Sequence, residues 1–286
     1  MNTAVFQQTI HFGSQSVLVQ SDSVQCGRLI GRFLGHCFGA NRERQPAATF
    51  TLTAVTPTTI QLCQNNQPIL TSRWQTVFPY FMHHMLEALI THYEDGLVFH
   101  AGGVARQGHG IMLCGQSGQG KSTFTARLLT AHFDYLSDEV TAVSLDQPGR
   151  QRIIGFPRSI ILRQGSAFIW RNALPGGVLP EEAALDDGTV WLRPDWLGQG
   201  RVQPEGNDVQ MVIFPRFEAG ADFSARPLSA GELAFSLMQH LVNAKNVAGH
   251  GLTAVSQFAR QLTGWQLVYG NVDMAAAWLE ETVQSL

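Results

Sequence analysis

Lys121 and Ser122 close the run CGQSGQGKSTF (Cys114–Phe124), in which Gly115 and Gly120 stand at the spacing G-x-x-x-x-G-K-[ST]. That spacing suits phosphate oxygens. Glycines let the backbone curl so that successive N–H groups face an anion at the positive end of the next helix. A lysine there would reach β- and γ-phosphates, and the serine hydroxyl would ligate Mg²⁺. The chain has only two lysines, Lys121 and Lys245. From its composition a chance match to the pattern is expected about 0.002 times, so the signal is specific. The apolar IMLC before the run, and Phe124, Leu128 and Leu129 at helical spacing after it, supply the strand–loop–helix context that the chemistry needs.

The next acids are Asp138 and Glu139, at the end of the strand-like FDYLSDE. If a right-handed βαβ crossover connects them to the loop, their strand runs parallel to IMLC and ends on the same edge of the sheet. Two adjacent acids there can divide the work, one holding Mg²⁺ and the other taking a proton from an incoming hydroxyl. His100, in VFHAGG, ends the strand before the hairpin that leads to the loop and could face the same edge. Arg163, Arg193 and Arg216 are candidates to neutralise transition-state charge. Arg216 is preferred because it follows the strand-like VQMVIFP directly. His83, His84 and Glu87 share one helical segment, but the HExxH order of a zinc site is absent and they read as helix edge and surface.

These residues need elements to position them. Residues 1–95 read as a small mixed α/β segment: SVLVQS and TIQLCQ alternate as strands, SVQCGRLIGRFLGHCF has helical spacing, NRERQPAA is a polar loop, and Pro79 precedes the apolar helix YFMHHMLEALITHY. Residues 96–286 alternate strand and helix, which predicts an α/β core. LVFHAGGVA, IMLC, FDYLS, VTAVSL, VQMVIFP and WQLVYG are the strands, with IIGFPRSIILRQG after a Gly/Pro/Arg-rich turn and a loop-rich stretch from Asn172 to Asn207. GELAFSLMQHLVNA, AVSQFARQLTG and VDMAAAWLEETVQSL are the later helices. A formal net charge of −3 and 14% charged residues give no footprint for nucleic acid or a membrane surface. No apolar run reaches the length of a membrane span and no leader pattern opens the chain, which predicts a cytoplasmic protein. Cys26, Cys37, Cys63 and Cys114 have no CxxC spacing and read as reduced thiols.

In order, VFHAGGVARQGHGIMLCGQSGQGKSTFTARLL, YLSDEV and GFPRSIILRQG resemble the catalytic domain of HPr kinase/phosphorylase and its relatives. The later GTVWLRP, VIFPRFEAG, PLSAGELAFSLMQHLVNAKN and LVYGNVDMAAAWL look most like the subgroup called HprK-related kinase A. The resemblance covers roughly residues 95–280. It implies a P-loop core related to phosphoenolpyruvate carboxykinase that transfers phosphate from ATP, with Mg²⁺, to a serine hydroxyl. By position, Gly115, Gln116, Ser117, Gly118, Gln119, Gly120, Lys121, Ser122 and Thr123 match the nucleotide-binding loop, and His100 matches a histidine before it. Asp138 and Glu139 match two successive aspartates, which assigns Asp138 as general base and Glu139 with Ser122 to Mg²⁺, roles that Asp138 and Glu139 could exchange. The segment ILRQG lacks the glutamate of the EIRG-like stretch of HPr kinase proper, and its Gly-Arg-Asn signature is not evident, so HPr and phosphorolysis are not carried over. Relatives assemble into hexamers, and a homo-oligomer is compatible with the apolar C-terminal helix. The acceptor is expected to be a hydroxyl, most simply serine of a peptide or protein; a small-molecule kinase, an ATP-controlled binding module and carboxykinase chemistry are the other readings.

Overall fold

The computed structural model describes residues 4–39, 45–144, 151–179, 188–198, 200–203 and 205–286. They form a mixed α/β structure in two compact units, Met1–Tyr93 and Glu94–Leu286. The first residues of the NRERQPAA loop, the Gly/Pro/Arg-rich turn and part of the 172–207 stretch lie outside the described residues.

In the first unit, β1 (Phe6–Phe12), β2 (Gln15–Ser21), β3 (Phe38–Gly39), β4 (Ala48–Thr56), β5 (Thr59–Gln64) and β6 (Gln67–Arg73) form one sheet in the order β3-β1-β2-β4-β5-β6. Helix α1 (Val24–Leu34) starts where Ser23 Oγ accepts the Cys26 N–H at 3.3 Å, an N-cap. The sequence predicts β2 and β5 but not the other four strands. β6, for example, buries none of its residues and so has no apolar alternation to read. The helix expected to follow Pro79 instead begins at Trp74 and runs to Thr91 as α2, with Pro79 inside it. Pro79 forgoes one backbone hydrogen bond. Ring packing of Phe78 against Trp74 (4.7 Å between centroids), Phe33 (5.0 Å) and Phe81 (5.9 Å) holds the first turns in place against that loss.

The second unit is built on nine paired strands. β7 (Gly96–Phe99) passes through His100 into β8 (Ala101–Arg106), and a two-residue turn leads to β9 (His109–Cys114). Helix α3 (Lys121–Thr130) follows, then β10 (Asp134–Ser137), β11 (Thr141–Ser144) and β12 (Arg152–Gly155). The pair β13 (Ile160–Leu162) and β14 (Val190–Leu192) stands apart, with α4 (Ala167–Ala173) between them in the chain. β15 (Glu205–Phe217), β16 (Ser224–Leu228), α5 (Ala230–Met238), α6 (Leu252–Ala259), β17 (Thr263–Tyr269) and α7 (Val272–Gln284) complete it. The strand path is β10-β8-β9-β15-β12-β11-β7, with β17 on β15 and β16 on β17. β15 is parallel to both β9 and β17, and the other pairings are antiparallel.

β9 explains why the sheet has a core on each face. Ile111 and Leu113 join Phe124, Leu128, Leu279 and Val283 under α3 and α7, whereas Met112 and Cys114 join Leu233, Leu237, Val255 and Phe258 under α5 and α6. This is the alternation of a strand buried on both sides. The expected crossover needs one correction. β10 lies outside β8 and does not neighbour β9. Because β8 is antiparallel to both, β10 still runs in the direction of β9, and its end at Ser137, just before Asp138, reaches the edge where β9 ends at Cys114.

A second correction concerns GELAFSLMQHLVNA. The helix stops at Met238, and the chain then lies extended along β7: His100 N–H donates to the His240 carbonyl and Val242 N–H to that of Val98, each at 2.8 Å. Asn243 completes the pairing, its Oδ1 accepting the Val98 N–H at 2.8 Å and its Nδ2 donating to the Gly96 carbonyl at 2.9 Å. A side-chain amide that mimics a peptide group in this way favours strand pairing over a further helical turn.

Candidate functional site

The loop between β9 and α3 is held from within and from one side. Gln116 N–H donates to the Gln119 side chain at 2.8 Å, Gln119 N–H donates to the Gln116 carbonyl at 3.2 Å, and Phe217 N–H, at the end of β15, donates to the Gln119 carbonyl at 3.1 Å. Gly118 and Gly120 both take φ +89°, a left-handed conformation that side chains resist. Gly120 has a second reason to lack a side chain: a Cβ would stand 3.0 Å from Phe217 Cβ and 3.2 Å from the buried Tyr269 hydroxyl, which has no hydrogen-bond partner among the described residues. Gly120→Ala is therefore expected to cost roughly 1–3 kcal/mol of stability, measured by chemical denaturation. A stability equal to that of the parent protein would contradict the loop conformation.

The N-cap of α3 is Gly120, which has no side chain to offer, so among the described residues no side-chain cap meets the N–H groups of its first turn. This is the arrangement that receives anionic oxygens. The Ser122 hydroxyl makes no hydrogen bond among the described residues, whereas the Thr123 hydroxyl is engaged by that of Ser166 at 2.6 Å. Lys121 is 7% exposed and points its ammonium at His100 Nε2 (3.0 Å) and the Gly115 carbonyl (3.5 Å). Burial pushes the Lys121 ammonium below its ordinary value, against the pull of Glu139 and Asp138. Burial, followed by the Lys121 charge, pushes His100 down as well. A neutral His100 accepting from Lys121 through Nε2 carries its proton on Nδ1, which faces Glu139 Oε1 at 3.6 Å.

Asp138 and Glu139 sit in a turn fixed by Ser137, whose Oγ accepts the N–H groups of both Glu139 and Val140 at 3.2 Å. Asp138 is 1% exposed. Its Oδ1 lies 3.3 Å from Arg158 Nη2 and 3.4 Å from the Tyr135 hydroxyl, while Oδ2 has no partner among the described residues. Burial pushes Asp138 above the ordinary carboxylate range, with Arg158 opposing. For Glu139 burial acts in the same direction, but Arg158, His100 and Lys121 together outweigh it and leave the carboxyl below its ordinary value.

The structure thus joins His100, Lys121, Asp138 and Glu139 in one cluster through contacts between their own side chains and Arg158. It gives Arg216 a different setting. That side chain is 55% exposed and paired with Glu218 at 2.6 Å, between Pro215, whose carbonyl approaches Gly115, and Phe217, which grips the loop. Arg163 is exposed, and Arg193 is bound to Asp195 at 2.8 and 3.0 Å. The guanidinium that meets the acids is that of Arg158, a residue that sequence reasoning did not single out. Its sequence signal is only an arginine in FPRS, two apolar residues past β12, which no spacing rule separates from the other arginines.

His240 is the other residue not anticipated. It is opposite His100 on the paired segment and 9% exposed, and burial, with the charges of Lys121 and His100, pushes its imidazole down to about 4. The unfolded chain takes up this proton near the ordinary 6.5, so between pH 6.5 and 4 it binds more protons than the folded protein and stability falls as the pH drops. The effect reaches about 2–3 kcal/mol by pH 4.5. His240→Gln is expected to reduce the difference in urea midpoint between pH 7 and pH 4.5, and an unchanged difference would refute the burial of a neutral imidazole.

Among the described residues, no three His, Cys, Asp or Glu side chains are grouped to hold a metal ion, and none of the four cysteines forms a disulfide. His84 instead faces Glu87 at 3.6 Å along α2. No helix among the described residues is long and apolar enough to cross a membrane. What remains is a site with an uncapped helix terminus, one buried lysine, one free hydroxyl and one free carboxylate oxygen. Chemically, it is suited to an anion and to a group that gives up a proton.

Comparison with solved structures gives the Hpr(Ser) kinase/phosphatase from Coxiella burnetii, aligned over 66% of this chain and 94% of that chain at 11% sequence identity, with a TM-score of 0.35. No family model and no curated protein matches the sequence.

Proposed function

We propose that this protein is a kinase that transfers the γ-phosphoryl group of ATP to a hydroxyl, most simply that of a serine in a peptide or protein. The observation that carries this reading is the placing of one unpartnered carboxylate oxygen, Asp138 Oδ2, in the same cluster as Lys121 at the uncapped start of α3. The triphosphate is received by the N–H groups of Gly118 and of Gly120 to Ser122, and by Lys121, which exchanges His100 for phosphate oxygens. Ser122 and one of the two acids would hold Mg²⁺, which would supply charge neutralisation. One carboxylate and a hydroxyl are enough for this ion, which commonly keeps waters and takes its remaining ligands from the substrate. Asp138 Oδ2 takes the acceptor proton as the hydroxyl oxygen forms its bond to phosphorus and the bond to the ADP oxygen breaks. His100 and Arg158 keep the acids in place during this exchange. Arg216 is at the mouth of the loop, where an exposed guanidinium can contact a phosphate or the acceptor.

The test is intact-mass detection of phosphate transfer from Mg·ATP to a panel of free serine, serine-containing peptides (one with C-terminal serine) and an HPr protein. A gain of about 80 Da on one acceptor, absent with Lys121→Ala, establishes the kinase and its acceptor class. ATP binding without transfer to any acceptor overturns the kinase reading for this panel and favours an ATP-controlled binding module.

A further inference from the structure

The position of Arg158 is unusual for an arginine. Its side chain is 6% exposed, its Nη2 bridges Asp138 Oδ1 at 3.3 Å and Glu139 Oε2 at 2.5 Å, and its Nη1 donates to the Ser159 carbonyl at 3.0 Å. The Tyr135 hydroxyl donates to the Arg158 carbonyl at 2.8 Å, so backbone and side chain are both anchored to β10 and the turn after it. The approach is prepared upstream. A Cβ on Gly155 would stand 2.1 Å from the Leu136 carbonyl oxygen, so only glycine lets β12 lie this close to β10 and bring Arg158 to the acids.

Two adjacent carboxylates in a buried turn repel each other and are free to rotate unless a cation joins them. The guanidinium meets both through one nitrogen, Nη2, while the Ser159 carbonyl holds Nη1; an ammonium has no second nitrogen to be tethered in this way. Because Arg158 occupies Oδ1 of Asp138, the oxygen left without a partner is Oδ2. We propose that Arg158 is a positioning residue: it holds Asp138 by Oδ1, leaving the buried Oδ2 as the oxygen that takes the acceptor proton, and it does so without binding the nucleotide. This proposal rests on the kinase reading above.

The experiment compares the full-length parent with Arg158→Lys and Arg158→Met, each also combined with Asp138→Asn. Calorimetric ATP binding is measured beside single-turnover transfer. Arg158→Met is expected to lower the transfer rate about 100-fold with the ATP dissociation constant changed less than about threefold, as for a misplaced reacting group. Arg158→Lys is expected to recover about a tenth of the parent rate. In the Asp138→Asn background, either change is expected to add less than about threefold, because Arg158 acts through Asp138. Arg158→Lys keeps the charge and carries the test if Arg158→Met does not fold. A parent-like rate in Arg158→Lys, an equal loss in both backgrounds, or ATP binding weakened tenfold or more would overturn the proposal. Failure of the kinase reading looks different: the parent protein itself transfers nothing, whatever residue stands at 158. In that case ATP affinity that drops with Arg158→Lys overturns the proposal too, by making Arg158 a nucleotide ligand.

Discussion

Asp138→Asn is expected to leave ATP binding within about threefold of the parent and to lower phosphoryl transfer by about 10²–10⁴-fold, the usual contribution of a positioned general base. The substitution is nearly isosteric. An asparagine carbonyl oxygen can still accept from Arg158, and Glu139 still compensates the buried guanidinium, so the turn keeps its shape. The change removes the second carboxylate oxygen, the one without a partner, and puts in its place an amide nitrogen that cannot accept a proton. Binding by calorimetry and transfer by intact mass give the two quantities. Equal loss of both would remove Asp138 from the role of base and make it a binding residue.

Lys121→Ala is expected to have the opposite pattern. Binding of ATP and transfer at subsaturating ATP (kcat/KM) fall together, each on the order of 10²–10³-fold, since the lysine's attraction to phosphate is made in both ground and transition states. Its effect on the protein without ligand is expected to differ in sign. Lys121 is 7% exposed, its ammonium is disfavoured by burial, and its near neighbour is another basic group, His100, at 3.0 Å. Removing it relieves that desolvation, so thermal stability should stay level or rise while activity disappears. A clear drop in melting temperature would mean that Lys121 holds the fold together and is not kept there for a ligand.

Much of the site is legible in the sequence because it depends on local order. The glycine pattern, the buried strand before it and the helix after it are contiguous, and the direction of β10 follows from chain geometry even though β8 intervenes. What could not be read depends on contacts between distant segments. Arg158 differs from Arg163, Arg193 and Arg216 only in which surface it is folded against. His240 lies in a stretch with helical periodicity, yet the free edge of β7 and the amide of Asn243 draw it into strand pairing. Pro79 is a local signal for a helix start, and aromatic packing from α1 and α2 overrides it. In the first unit, β6 buries none of its residues and carries no period to read, whereas β4 does alternate, with Ala48, Phe50 and Leu52 buried, and is legible in principle.

The seam between β7 and Asn243 also sets the order in which the molecule can be completed during its synthesis. Val98 N–H and the Gly96 carbonyl find their partner 145 and 147 residues later in the chain. At ribosomal rates of roughly 5–20 residues per second, that partner emerges about 7–30 s after β7. Throughout this interval the strand GLVF, all of whose residues are buried in the finished protein, has one unpaired edge, beside the histidine that meets Lys121. An open apolar edge is a template for pairing with other chains. A nascent or truncated chain ending before residue 243 therefore carries the glycine loop and both acids but has an aggregation-prone edge where the finished protein has its His100–His240 pair.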